Sequence, residues 1–169
     1  MTTMEMFLAQ LDDEVKRTRH ALERVPEGKD DWKPHDKSMP LGRLAGLVAS
    51  MPSWFGLIIN QDELDLNPPG GGKFEQKPMR TPADLVKELD EGAAQGRKAL
   101  QGTSEEHLLK PWRLLVSGHV VSEQPRHVVI RDTFSHLAHH RGQLTVYLRL
   151  NDVPVPAIYG PSADDAQFA

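Results

Sequence analysis

No cysteine stands among the 169 residues, which excludes a disulfide framework, a thiolate nucleophile and any cysteine-ligated metal. A metal in this chain must be held by histidine, carboxylate or water. Nor is there an excess of positive charge: 20 Lys and Arg against 24 Asp and Glu give a net charge of −4, so no basic surface is offered to nucleic acid or to an anionic membrane. No apolar run approaches the roughly 18 residues needed to cross a bilayer, and the opening Met1-Thr2-Thr3-Met4-Glu5 has no basic segment followed by an apolar one. The expectation is a cytoplasmic protein with no membrane span. Internal repeats and low-complexity tracts are absent too, and at 38% hydrophobic content the length suits one well-buried core, a single domain over 1–169.

What is present is helical periodicity. Thr2 and Glu5 form a capping-box pattern, and Met4, Phe7, Leu8, Leu11, Val15, Leu22 and Val25 follow at three- and four-residue steps, predicting a long first helix that ends near Pro26 and Gly28. Trp32 in the following connection reads as a packing anchor. A second helix is predicted over 41–60, with Ser38 available as its cap, Leu41, Leu44, Val48, Met51, Phe55 and Ile58 on its buried face, Leu47 at the edge of that face, and a break at Pro52. The stretch 61–80, with Pro68, Pro69 and three glycines at 70–72, is predicted to be an irregular, mobile loop. Thr81 and Pro82 open a third helix that closes near Gly102. Residues 112–116 and 119–121 flank Ser117-Gly118 as a short β-hairpin would, and a fourth helix runs from about Arg126 to Asn151, followed by a proline-rich extended tail. The reading is an all-α four-helix bundle with a short hairpin before the last helix.

The chemistry concentrates in that last helix. His136 and His140 are one turn apart and separated by about 40° around it, so their rings point the same way at the edge of the core. His139 faces elsewhere. Two readings fit the pair equally: ligands for a divalent zinc, nickel or iron ion, or a polar seam bonded to backbone and facing side chains. Leu137 and Ala138 exclude the His-Glu-x-x-His protease pattern, which needs a glutamate as general base. Asp132 shares the seam about 12 Å along the axis from His140, too far to grip the same ion. It reads as a partner of the His136 ring or as a solvated carboxylate. Arg141 reads as a salt bridge to a neighbouring helix, and Gln143 and Tyr147 as core hydrogen-bonding residues that continue the seam. His107, His119 and His127 receive no role. A second stripe, Val128, Ser135, His139, Gly142, Val146 and Leu150, lies opposite the core face and is expected to pack against another helix, in the same chain or across a two-fold dimer.

The run His136-x-x-x-His140-Arg141-Gly142-Gln143-Leu144, with Tyr147-Leu148-Arg149-Leu150 and Pro156-Ala157-Ile158-Tyr159-Gly160-Pro161, resembles the last helix and tail of the DinB family of DinB/YfiT-like metalloenzymes. Trp32-Lys33-Pro34-His35 and Leu41-Gly42-Arg43-Leu44-Ala45 resemble the entry to that family's second helix, so the likeness spans nearly the whole chain. The resemblance implies a four-helix bundle, commonly a homodimer, holding a divalent metal on three histidines, and activity as a transferase or hydrolase-like scaffold that works with a low-molecular-weight thiol. Here it implies His136 and His140 as ligands. The third is missing: where the family carries Leu-Ala-x-His, this chain reads Leu44-Ala45-Gly46-Leu47. His35 is the remaining candidate for a substitute. The alternative to a metalloenzyme with a degenerate site is a metal-free bundle that binds a small ligand or serves as a structural partner.

Overall fold

Thr2 opens the first helix, α1 (Thr3–Leu22), with both halves of the capping box in place: Glu5 N donates to Thr2 Oγ1 at 3.1 Å and Thr2 N donates to Glu5 Oε2 at 2.8 Å. The computed structural model describes residues 2–71 and 81–167. α2 (Leu41–Ser50) and α3 (Trp54–Asn60) form one interrupted rod, because Pro52 has no N–H to give and the segment Met51–Ser53 tightens into a 3-10 turn. Ser38 does not cap this rod. Pro40 occupies the cap position without a side-chain bond, which leaves the Ser38 hydroxyl outside the first turn. In α4 (Pro82–Gly102), Asp84 N donates to Thr81 Oγ1 at 3.1 Å and Pro82 takes the first turn, as its sequence predicts.

Cross-helix pairs fix the directions of the bundle. Arg19 pairs with Asp90 and Arg97 with Asp12, so α1 and α4 are antiparallel. Phe7 meets Phe134 and Glu14 meets Arg141, so α1 runs parallel to the last helix, α6 (Arg126–Leu150). Phe55 meets Phe134 and Trp54 meets His136, so the α2–α3 rod is antiparallel to α6. The rod and α4 therefore point the same way. Their contact is close: a Cβ on Gly96 would stand 2.7 Å from the Pro52 carbonyl oxygen, and one on Gly92 would stand 3.0 Å from Ser53 N. Apolar side chains fill both ends. Leu44, Val48, Met51, Leu89, Leu144 and Leu148 pack at one, and Phe7, Leu11, Phe55, Leu100, Ile130 and Phe134 at the other.

Between α4 and α6 lie α5 (Glu105–Leu109), β2 (Pro111–Val116) and β3 (His119–Pro125). β2 and β3 form the predicted antiparallel hairpin, turning through Ser117 and Gly118 at φ 53° and 79°, the pair of positive φ values that suits the strands' twist. The stretch 61–80 is not wholly irregular, because β1 (Glu63–Asp65) pairs parallel with β2. Asp65 explains the pairing: its carboxylate accepts from Ser117 N at 3.0 Å and from Gly118 N at 2.7 Å, clamping the strand to the hairpin turn. The predicted mobility of the loop 61–80 falls partly on residues 72–80, which lie outside the described residues. By length and composition alone Leu41–Asn60 could cross a membrane, but it is mostly buried inside the bundle, as the core helix of a folded domain is.

A candidate metal centre on the last helix

Two buried arginines set α6 in place before its histidines come into play. At its start, Arg126, 1% exposed, donates from Nε to Ile58 O at 3.0 Å, from Nη1 to Pro111 O at 2.7 Å and from Nη2 to Gln61 O at 3.0 Å, and it pairs with Asp62. It thereby supplies donors to carbonyls at and beyond the end of α3 that have no partner within that helix. Next to His140 in the chain, Arg141, also 1% exposed, pairs with Glu14 at 2.5 Å and donates to Thr18 Oγ1 at 3.1 Å and to Tyr159 OH at 2.6 Å. The expected salt bridge is thus a buried one that ties α6 to α1 and to the tail. Because Arg141 adjoins His140 in sequence, anchoring its guanidinium inside the bundle fixes the helix rotation that presents the histidines at the bundle's edge.

The pair itself converges. His136 Nε2 and His140 Nε2 stand 2.8 Å apart, and His140 Nδ1 meets Gln143 Oε1 at 2.8 Å. With the Gln143 carbonyl as acceptor, His140 carries its proton on Nδ1 and turns the Nε2 lone pair toward His136, whose Nε2–H then donates. On the other side, the His136 ring meets Trp54 edge-on, centroids 5.6 Å apart. Burial, followed by the neighbouring His140 and His139 rings, holds His136 below the ordinary histidine value. It is accordingly neutral near pH 7, the state in which an imidazole ligates metal. Two imidazole nitrogens on one tetrahedral ion lie about 3.3 Å apart, so an ion there would ask the rings to part by about half an ångström and to turn, with the His136 proton carried on Nδ1.

A third donor does not join them. Among the described residues, no group of three His, Cys, Asp or Glu is placed to hold an ion. Leu47 is half-buried and packs against the apolar cluster of the α2 end, and Trp54, two turns along the same rod, is the residue that meets His136. His35 is exposed and accepts from Lys37 N at 3.1 Å, so it does not act as the substitute ligand. Asp132 binds the Arg131 guanidinium at 2.9 and 3.0 Å and does not hold the His136 ring. The residues present therefore fit a two-imidazole anchor and do not fit a three-histidine centre.

The remaining candidates fall in place as structural groups. Tyr147 donates to Met39 O at 3.1 Å and takes Trp32 edge-on, while Gln143 is exposed and serves His140 instead of the core. His107 bonds Ile59 O at 2.8 Å and His127 bonds Leu108 O at 3.1 Å. In the stripe of Val128, Ser135, His139, Gly142, Val146 and Leu150, Val128 is half-buried and the other five are exposed, so among the described residues no helix of the same chain covers those five. His139 still lies with its ring 5.0 Å from that of His140.

Solved structures that resemble this chain share its fold. A DinB-like protein from Bacillus cereus aligns with a TM-score of 0.68 at 19% identity, covering 92% of this chain and 97% of that one. A DinB-like protein from Bacillus subtilis aligns with a TM-score of 0.63 at 18% identity over 87% of this chain and 92% of that one. At such identities the likeness concerns the fold alone. In sequence, the Bacillus subtilis protein YrdA is 25% identical over 164 residues, 96% of this chain and 92% of its own length. The family model for the DinB family matches residues 1–167, and the chain belongs to that family.

Proposed function

We propose that this protein is a divergent DinB-family metal-binding protein in which His136 and His140 alone anchor a divalent zinc, nickel or iron ion, with the positions a third histidine would fill left to water or a low-molecular-weight thiol. The observation that carries the reading is the convergence of the two Nε2 atoms to 2.8 Å, with Gln143 fixing the tautomer of one and Trp54 walling the other. A bound divalent ion supplies Lewis-acid activation of water or thiol, the chemistry expected of a metal-dependent transferase or hydrolase. The chain's own part is to keep His136 neutral, to orient His140 and to shield one side of the pair with an indole. With two protein ligands in place of three, the affinity is expected to lie below that of a three-histidine relative.

A second reading, a metal-free bundle with a structural or small-ligand role, is favoured by Leu47, whose side chain continues the apolar packing at the position the resemblance assigns to the missing ligand. Calorimetric titration of untagged, metal-stripped protein with zinc and nickel separates the two. Binding in the native protein that is lost in His140→Ala supports the metal site. Equal heats in both, or no binding in either, leaves the metal-free reading.

A further inference from the structure

The geometry points to a second copy of this chain as the source of the missing ligands: we propose that two chains share one divalent ion, each contributing His136 and His140. The inference rests on the metal-site reading above. A tetrahedral ion takes four donors, the pair supplies two, and no third donor of the same chain is placed to join them among the described residues. The open side of the pair faces out of the chain, since His136, His139 and Gln143 are all exposed.

The symmetry closes without further parts. A two-fold axis through the ion maps one His136–His140 pair onto the other, giving an isologous contact in which both chains use the same patch. Opposite edges of a tetrahedron are perpendicular, and each pair's edge runs along its own helix, so the two α6 helices cross at about a right angle. Helices crossing so steeply touch over a small area, and the ion, more than apolar burial, holds the copies together. Filling all four positions also closes the centre. A small thiol and the second chain then compete for the same two coordination positions, so the assembled form is a structural centre and the separated form an open one.

The test is zinc titration of untagged, metal-stripped protein, read by calorimetry for stoichiometry and by sedimentation velocity for mass. The expected result is one zinc per two chains with a doubling of the sedimenting mass, reversed by a chelator, shifted back by a monothiol such as mercaptoethanol, and absent in His140→Ala. One zinc per chain with unchanged mass overturns the shared ion while leaving the two-histidine site standing. A mass that is the same with and without zinc, and the same in His140→Ala, overturns it equally. No zinc bound at all removes both this inference and the site on which it rests.

Discussion

Glu14 and Arg141 form the interaction whose removal has the most predictable cost, because the two ends of the pair are not equally replaceable. Glu14 is 5% exposed and serves two cations at once, Arg141 at 2.5 Å and Arg17 at 2.9 Å. Glu14→Gln keeps the volume but leaves Arg141 buried without an anion, with Arg17 facing the same amide. Breaking a buried pair in this way costs about 3–5 kcal/mol. Arg141→Met instead removes the cation and leaves Glu14 with Arg17 still bound, so about 1–3 kcal/mol is lost. In a chain of this size each kcal/mol moves the melting midpoint by about 2–4 °C, giving a drop of roughly 6–20 °C for Glu14→Gln and a smaller one for Arg141→Met. Thermal melts followed by circular dichroism measure both. If Arg141→Met proves the more damaging, or if both midpoints stay within about 3 °C of the native protein, the pair is not the anchor of α6 that its geometry describes.

Three further outcomes are expected. Leu47→His, placing an imidazole on the rod that brings Trp54 to His136, should raise zinc affinity at least about tenfold, and zinc at about 100 times the dissociation constant should add about 2.7 kcal/mol of stability; equal titration curves for variant and native protein would mean that Leu47 does not face the pair. Gln143→Leu should weaken zinc binding about 10- to 100-fold, because His140 loses the group that fixes its tautomer, while the melting midpoint of the metal-free protein stays put, Gln143 being exposed. Because the folded His136 value lies below the unfolded reference of 6.5, the unfolded chain binds more protons between the two values, so stability rises with pH across that window and its full contribution is present above 6.5. Titrating the Trp54 emission against pH in a Trp32→Phe/Trp112→Phe background reads the transition directly, and a midpoint at or above 6.5 would contradict the partial desolvation of the ring by its neighbours.

The features legible in the sequence are those made by residues close together in it. The Thr2–Glu5 capping box, the Thr81-Pro82 helix start, the break at Pro52 and the Ser117-Gly118 turn each need only a few neighbouring side chains, and each is present. β1 escaped because its three residues, Glu63 to Asp65, acquire strand character only from β2, some 50 positions later, and from the Asp65 clamp on that hairpin's turn. Arg126 escaped for the same reason: the carbonyls it satisfies belong to Ile58, Gln61 and Pro111, and nothing near Arg126 announces them. Glu14 is an intermediate case. It occupies the inward stripe of α1 between Leu11 and Thr18, and a carboxylate in such a stripe demands a buried cation, but the stripe does not say which helix provides it.

The histidine site divides along the same line. His136 and His140 converge because four residues of one helix place them together, and that spacing survives whatever the rest of the bundle does. A third ligand from α2 would instead depend on two helices meeting in register, and the leucine at position 47 packs against the apolar cluster of the α2 end. The convergence of the pair is not explained by core packing, since His136 lies exposed at the bundle's edge and Gln143 is exposed beside it. What the arrangement retains is a chelating edge that faces solvent, with one nitrogen's tautomer held by an amide and the other ring kept neutral by its surroundings. That combination favours a ligand arriving from outside the chain, whether a hydrated ion, a thiolate on that ion, or the same edge of a second molecule.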